Sequence, residues 1–171
     1  MQAAKDSFYM ALRDRLTALN PARTIVVDGE TRPGIVVREN AEPQYAAIRP
    51  EVFYLDWGEV QVAESTRPIL SLQCEILYAS DGWSGSGVDR GRALAEMDDE
   101  LVRISMPPHT PMLDYRSSPS VALGSNVFWT MPVIKIGRGV SEAQRDRGAA
   151  SARLEHVARL RIYFFLPEVN A

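Results

Sequence analysis

The chain is poor in the residues that usually carry covalent and metal chemistry. Its 171 residues include one cysteine, Cys74, and only two histidines, His109 and His156. A single cysteine excludes an intrachain disulfide, and its position in an apolar segment indicates a buried structural thiol. The two histidines lie far apart and offer no metal-ligand spacing, so we expect neither a metal nor a cofactor.

The chain also lacks a strong charge of either sign and any long apolar run. Its net charge is −3 at pH 7, which argues against a protein that coats nucleic acid through a generally basic surface. No uninterrupted apolar segment approaches the ~20 residues that cross a bilayer. The first residues, Met1 to Asp6, do not resemble a signal peptide. We therefore expect a soluble protein made in the cytoplasm, with no membrane partner.

The hydrophobic pattern that is present predicts one α+β domain over residues 1–171. Apolar residues make up 46% of the chain, which is typical of a globular protein with a core. The helical and alternating periods predict the order α-β-β-β-β-α-β-β, with an antiparallel sheet of mixed strand lengths and two main helices packed on one face. The helices are expected at about 3–19 and 88–105, and the strands at 24–27, 34–38, 52–62, 68–79, 126–136 and 154–166.

Several connections follow from the same pattern. The strands at 24–27 and 34–38 resemble a hairpin, and those at 52–62 and 68–79 should pair antiparallel, with Gly58 as a possible bulge or point of close approach. Proline- and serine-bearing residues 106–124 and polar residues 137–151 are each expected to form a long loop.

A glycine-rich loop, Gly82-Trp83-Ser84-Gly85-Ser86-Gly87, joins the strand at 68–79 to the second helix. A phosphate-binding loop needs a lysine after its last glycine or a third glycine in the dinucleotide pattern, and the chain has neither. Asp89 would also repel phosphate. The loop is better interpreted as a turn into the helix, with Ser84 or Ser86 near the N-cap and Asp89 favourable at the helix dipole.

No catalytic set stands out, so we do not expect an enzyme. The chain lacks the G-x-S-x-G elbow of serine hydrolases, and Asp98-Asp99 is typical of a solvated helix face. Trp83 either folds back over the sheet or is an exposed contact residue. Arg159 and Arg161 are expected on a solvated or subunit-facing sheet surface; a nucleic-acid surface completed by Tyr163 is the alternative. The candidate protein–protein contact residues are Trp57, Glu59, Trp83, Arg138, Arg145, Arg147, Arg159 and Arg161.

The order of these elements also carries a resemblance. A first helix ends before Asn20-Pro21, a variable hairpin follows, and then come an aromatic strand, a polar–apolar strand, a small-residue loop, a helix and two closing strands. The local features are Gly58-Glu59, Leu72 to Tyr78, Ser84 to Gly87 and Arg92-Ala93-Leu94-Ala95. In this order and texture the chain resembles the tail terminator and tail-completion proteins of long-tailed bacteriophages.

The resemblance implies a non-enzymatic virion protein of the tail–neck region, assembled in the host cytoplasm. Such proteins form a ring, commonly a hexamer, that caps the tail tube, ends tube polymerisation and presents a surface to the head–neck connector. The implied partners are further copies of the chain, the tail tube protein and the head–tail connector or neck protein, with DNA only passing through the ring lumen. Two alternatives stay open: a neck or head-completion connector protein, and a small ligand-binding α+β domain that uses the Trp83 loop.

Overall fold

The computed structural model of the chain describes residues 1–38, 48–62, 69–84, 87–138 and 154–165. These residues form an α+β fold with two helices and a mostly antiparallel sheet, which confirms the predicted fold class. The elements in chain order are α1 (Gln2–Leu19), β1 (Thr24–Val27), β2 (Glu30–Pro33), β3 (Ile35–Val37), β4 (Phe53–Val62), β5 (Ile69–Ser80), α2 (Gly87–Ile104), β6 (His109–Asp114), β7 (Val121–Trp129), β8 (Val133–Arg138) and β9 (Leu154–Phe165).

The long antiparallel pair β5–β9 is the centre of the main sheet. The two strands stay in register from Ile69 opposite Phe165 to Ser80 opposite Leu154. The strand order is β3-β4-β5-β9-β7-β6, and β8 also pairs with β9, so that β7 and β8 follow one another along the same side of β9. Among the strand pairs of the described residues, only the short β3–β4 pair is parallel.

Both helices pack on one face of this sheet, as the sequence predicts. Alternate residues of β5, from Leu70 to Tyr78, are buried there, and their partners on β9 are buried as well. The helices contribute the buried side chains Phe8, Leu12, Leu16, Leu94, Met97 and Leu101 to the same core cluster. Burying a side chain of this size contributes roughly 1.5–3 kcal/mol, so this face carries most of the hydrophobic stabilisation.

The first hairpin differs from the prediction. β1 pairs with β2, and the segment at 35–37 instead pairs parallel with β4. The turn is Asp28-Gly29, with φ of 51° and 81°, the left-handed backbone that two-residue hairpin turns require. The sequence of β2, Glu-Thr-Arg-Pro, has no apolar alternation, so its pattern gives no strand signal. Ile25 of this hairpin packs with Val52 and Tyr54 in a second, smaller cluster.

The region after α2 also differs. The predicted loop at 106–124 contains β6 and the start of β7, and the predicted strand at 126–136 is two strands, β7 and β8. The break is at Thr130, whose N–H donates to the Arg161 carbonyl over 2.9 Å, while its hydroxyl accepts from the Arg161 N–H over 3.0 Å. Pro132 follows this break and cannot donate to the ladder. Of the second predicted loop, Gly137 and Arg138 belong to β8, and residues 139–151 lie outside the described residues.

Candidate functional site

The face of the sheet opposite the helices is partly open to solvent. The β1–β2 hairpin covers one corner of it, and the remaining rows carry polar or aromatic side chains from β5, β9 and β7. In register across the strands, Glu75 faces Arg159, Gln73 faces Arg161 and Ser71 faces Tyr163. We call this surface the open face. Sheets covered on one side only show this division into apolar and polar faces.

Several charges of the open face neutralise one another. The guanidinium of Arg159 donates to Glu75 over 2.7 Å, and that of Arg38 donates to Asp56 over 2.9 Å. Both pairs are partly exposed, so each contributes little to stability, of the order of 0–1 kcal/mol. Arg161, the other arginine of β9, is exposed on the same face. The residue opposite it on β5 is Gln73, not a carboxylate. The structure therefore places both Arg159 and Arg161 on the exposed surface of the sheet, as the sequence predicts.

Next to these charges is a short row of aromatic rings. His109 of β6 pairs with Phe128 of β7, with ring centroids 6.2 Å apart, and Phe128 pairs in turn with Tyr163 of β9. Phe128 is exposed. The sequence prediction missed this row because it placed His109 in a loop.

The outer strand β8 carries the most exposed aliphatic side chains of the sheet. Val133 is 73% exposed and Ile136 is 75% exposed. β8 pairs with β9 on one side, and no strand of the described residues pairs with its other side. Such an edge presents unpaired backbone N–H and C=O groups to any strand that approaches it.

Trp57 and Glu59 lie on either side of a bulge in β4. The register shifts between Trp57 and Val60, which confirms the expected bulge at Gly58. Trp57 is half-buried: its ring contacts Phe8 at 6.1 Å between centroids, and the Lys5 ammonium lies 5.3 Å from its centre. Trp57 therefore packs on the edge of the core, whereas Glu59 is exposed.

Trp83 lies beyond the Ser80 end of β5, away from the arginines of the open face. Its side chain is 65% exposed, so it does not fold back over the sheet. The loop is held behind it, since the Gly82 N–H donates to the Ser80 hydroxyl over 3.0 Å. The Ser84 hydroxyl contacts the carboxylate of Asp89. A carboxylate at this helix start opposes phosphate there, in line with the sequence interpretation.

The structure brings together only some of the predicted contact residues. Arg159 and Arg161 share the open face, while Trp83 lies at the opposite end of the strands from Glu59. Arg138 belongs to β8 through its backbone. Arg145 and Arg147 lie outside the described residues.

A polar cluster beneath α2 corrects the prediction for Asp98. Its carboxylate accepts a hydrogen bond from the Tyr78 hydroxyl over 2.5 Å and lies 2.9 Å from Nδ1 of His156. Asp98 thus faces the sheet and is not part of a solvated helix face, because β5 and β9 supply its partners. Burial and the hydrogen bond to Asp98 raise the pKa of Tyr78.

The thiol of Cys74 is fully buried on the helix side of β5. Burial raises its pKa, and the nearby carboxylates of Asp56 and Glu75 act in the same direction. A thiol in this state is a poor nucleophile because the thiolate is the reactive form. Within the described ranges, no group of three or more His, Cys, Asp or Glu side chains is placed to hold a metal ion. No helix in that part of the chain is long and apolar enough to span a membrane.

Comparison with known proteins adds no family to this geometry: no protein-family model matches the chain, and no curated protein matches it significantly.

Proposed function

We propose that the chain is a non-enzymatic structural protein of a long-tailed bacteriophage. It assembles into a ring, commonly of six copies, that caps the tail tube, ends tube polymerisation and joins the tail to the head–neck connector. The observation that carries the proposal is the edge strand β8, with Val133 and Ile136 exposed beside an open sheet face. An unpaired, apolar strand edge supports assembly through strand pairing.

The resemblance described above is the second support. Three of the features that carry it, Gly58-Glu59, Leu72 to Tyr78 and Arg92 to Ala95, fall on β4, β5 and α2, with Gly58 at the bulge of β4. A bulge twists its strand and re-aims the side chains beside it. Glu59 is exposed at this position, where it is available to a neighbour.

Trp83 and Arg161 are the contacts we assign to the tube and connector proteins. Trp83 stands out of the loop before α2, and aromatic and arginine side chains are enriched among the residues that dominate binding energy at interfaces. Arg161 lies on the sheet and Trp83 in the loop before α2, so one copy can present separate surfaces to two partners. Trp83→Ala should weaken binding to one partner without loss of stability, since the side chain is largely solvated in the free chain.

The proposal is tested by light scattering and negative-stain imaging of the purified chain, alone and with the tail tube protein of the same phage. Rings that bind the tube end and stop its growth are expected. A chain that neither forms rings nor binds the tube protein at high concentration contradicts the proposal. Binding to the connector without binding to the tube would instead identify a neck or head-completion protein.

The exposure of Trp83 beside a glycine-containing turn favours one second candidate, a small ligand-binding domain that uses this loop. Its test is thermal unfolding with a panel of nucleotides and inorganic phosphate. A ligand that binds only the folded chain raises its stability by RT ln(1 + [L]/Kd). An unchanged unfolding temperature across the panel removes this candidate, and the carboxylate of Asp89 makes that the expected result for phosphate.

A further inference from the structure

We propose that the ring contact is a strand pairing between β8 of one copy and the outer side of β4 in the next, in the register that brings Lys135 opposite Glu59. The inference rests on the ring assembly of the proposed function and names the surface that forms it. It makes the neighbouring subunit, a second copy of this chain, the occupant of both edges.

Both edges are open in the described residues. β3 covers β4 only from Phe53 to Leu55, so no described strand pairs with the outer side of the rest of β4. On the other side of the sheet, β8 pairs with β9 alone. The four strands β4, β5, β9 and β8 thus form a block with one open side at each end.

The strand directions suit a head-to-tail contact. β4–β5, β5–β9 and β8–β9 are all antiparallel, so β8 runs opposite to β4. When the next copy is placed beside the first in the same orientation, its β4 meets β8 in the antiparallel sense. Every pairing within and between the blocks is then antiparallel, the geometry in which adjacent residues pair most stably.

The two edges also carry complementary side chains. Lys135 on β8 and Glu59 on β4 are both exposed, and neither forms an ion pair with another described residue. Each edge adds two exposed aliphatic side chains, Val133 and Ile136 on β8 and Val60 and Val62 on β4. Opposite charges across a strand pair stabilise it by roughly 0.2–1 kcal/mol, and like charges destabilise it.

This charge distribution favours a head-to-tail contact over a symmetric one. Two β8 strands would bring two copies of Lys135 together, and two β4 edges would do the same with Glu59. A head-to-tail contact uses two different surfaces of each copy, and such a contact closes into a ring when the rotation between copies allows it.

The proposed register displaces each copy along the strand direction relative to the one before it. Closed sheets have a displacement of this kind between neighbouring strands. Lys135 lies in the row of Val157, and Glu59 lies in the bulge opposite Gln73, in the row of Arg161. The next copy is therefore displaced by four residues along β9, about 13 Å at ~3.3 Å per residue. Four residues over four strands is one residue per strand, the ratio of an eight-stranded barrel with a shear of about eight. Closing a sheet requires such a stagger.

A disulfide experiment tests the contact directly. Because Cys74 is buried, cysteines introduced at the surface are the reactive ones. The variant with both Glu59→Cys and Lys135→Cys, oxidised as the assembled protein, should give a ladder of covalent oligomers on a non-reducing gel that ends at the ring size. Each single variant should stay monomeric on the gel. A dimer from Lys135→Cys alone, or no ladder from the double variant, overturns the inference.

Charge reversal gives a second measurement on the folded chain. Lys135→Glu and Glu59→Lys should each weaken self-association by roughly threefold to thirtyfold, because an attractive pair becomes repulsive, and the double reversal should restore it. Arg92→Glu on α2, another exposed charge, is the matched control and should leave association unchanged. Thermal unfolding of each variant verifies that it is folded. An unchanged association constant in both single variants contradicts the inference.

The two levels of the proposal fail in different ways. Rings that form normally in the charge-reversed variants refute the β8–β4 contact and leave the capping function intact. Rings that need Lys135 and Glu59 but do not stop tube growth support the contact and refute the capping function. A wild-type chain that stays monomeric at its highest soluble concentration, with and without tube protein, refutes both.

Discussion

The Tyr78 hydroxyl donates a hydrogen bond to the Asp98 carboxylate over 2.5 Å, and so joins the central strand β5 to α2. The tyrosine ring is fully buried and contacts His156 edge-on, with centroids 5.8 Å apart. This hydrogen bond adds a directional contact between α2 and the sheet to the apolar packing of Leu94, Met97 and Leu101. It also means that Tyr78 must keep its proton in the folded chain.

The first prediction is that the protein loses stability at alkaline pH. Tyr78 and Cys74 both have a folded-state pKa above the ordinary values of 10.0 and 9.0. Above pH 9 the unfolded chain releases protons that the folded chain keeps, so the free energy of unfolding falls as pH rises. The full stability contribution of these groups is present below pH 9. For each group, the slope is at most about 1.4 kcal/mol per pH unit.

Denaturant unfolding between pH 7 and pH 10.5 measures this slope, and Cys74→Ala is the diagnostic variant. It should be less stable at pH 7 by about 1 kcal/mol, because it leaves a small cavity. Between pH 9 and pH 10 its stability should fall less steeply than that of the wild type. Equal slopes in the two proteins would show that Cys74 does not titrate in this way.

The sequence predicts the elements whose periodicity is strong. α1, α2, β5 and β9 fall within a few residues of their expected positions, because each buries one face and leaves much of the other polar. β4 does so because it is rich in aromatic and β-branched residues. The sequence pattern did not predict β2 and β6, and the reason is physical. β2 is polar along its length, and β6 contains Pro111 and follows Pro107-Pro108, which a local reading takes as loop residues.

The side-chain contacts made across the fold were harder to predict from the sequence than the elements. Asp98 sits between acidic neighbours in a helix, and its local sequence is that of a solvated surface. Its partners are 20 and 58 residues away in the chain, so only the fold reveals that it points inward. Pro132 indicates an edge strand or a bulge in the segment at 126–136, but the sequence did not show that this segment divides into β7 and β8, since the pairing of a strand is a non-local property. For Trp83 the sequence left two positions open, and the structure decides for the exposed one.

The second prediction concerns Arg23, which links three segments. Its side chain is 8% exposed, and it donates to Glu100 over 2.5 Å and to Glu51 over 2.8 Å. Glu51 has a positive φ of 64°, a conformation that costs about 1 kcal/mol or more for a residue with a Cβ. The ion pairs therefore hold a strained turn before β4 against α2.

Arg23→Ala should destabilise the protein by roughly 1–3 kcal/mol, because it leaves the mostly buried Glu100 carboxylate without its cationic partner, whereas the half-exposed Glu51 can be solvated by water. Arg32→Ala is the matched control. Its pair with Glu30 is exposed on the first hairpin, so its loss should change the free energy of unfolding far less than the loss of Arg23. Urea unfolding of both variants gives the comparison, and similar losses in the two would contradict the central role of Arg23.

The third prediction contrasts two glycines around the start of α2. Gly82 has φ of 71°, and a Cβ there would lie 2.8 Å from the Arg90 backbone nitrogen. Gly91 lies within the helix, and a Cβ there would have nothing within 4 Å. Gly82→Ala should therefore destabilise by more than about 1 kcal/mol. Gly91→Ala should stabilise by roughly 0.5–1 kcal/mol.

Thermal unfolding of the two variants measures both signs in one experiment. The comparison is well matched, since the substitution is the same and the positions are nine residues apart. Gly82→Ala as stable as the wild type would mean that the turn before α2 can relax, and that Trp83 is not held by a rigid loop.

The last prediction tests the exposure of Trp83 by fluorescence. The chain has three tryptophans, and the other two are shielded. Trp129 is buried and donates from Nε1 to the Ser105 carbonyl over 2.9 Å, while Trp57 packs against Phe8. Trp83→Phe should remove the long-wavelength, readily quenched part of the emission, and the remaining spectrum should shift to shorter wavelength.

Acrylamide quenching also tests whether Trp83 becomes covered in the assembly. If Trp83 contacts the tube or connector protein, quenching of the wild type should fall when that partner is added, while the Trp83→Phe variant should show no comparable change. Equal quenching of wild type and variant in the free chain would show that Trp83 is not the solvated tryptophan. It would then argue against Trp83 as a contact residue for the tube or connector protein.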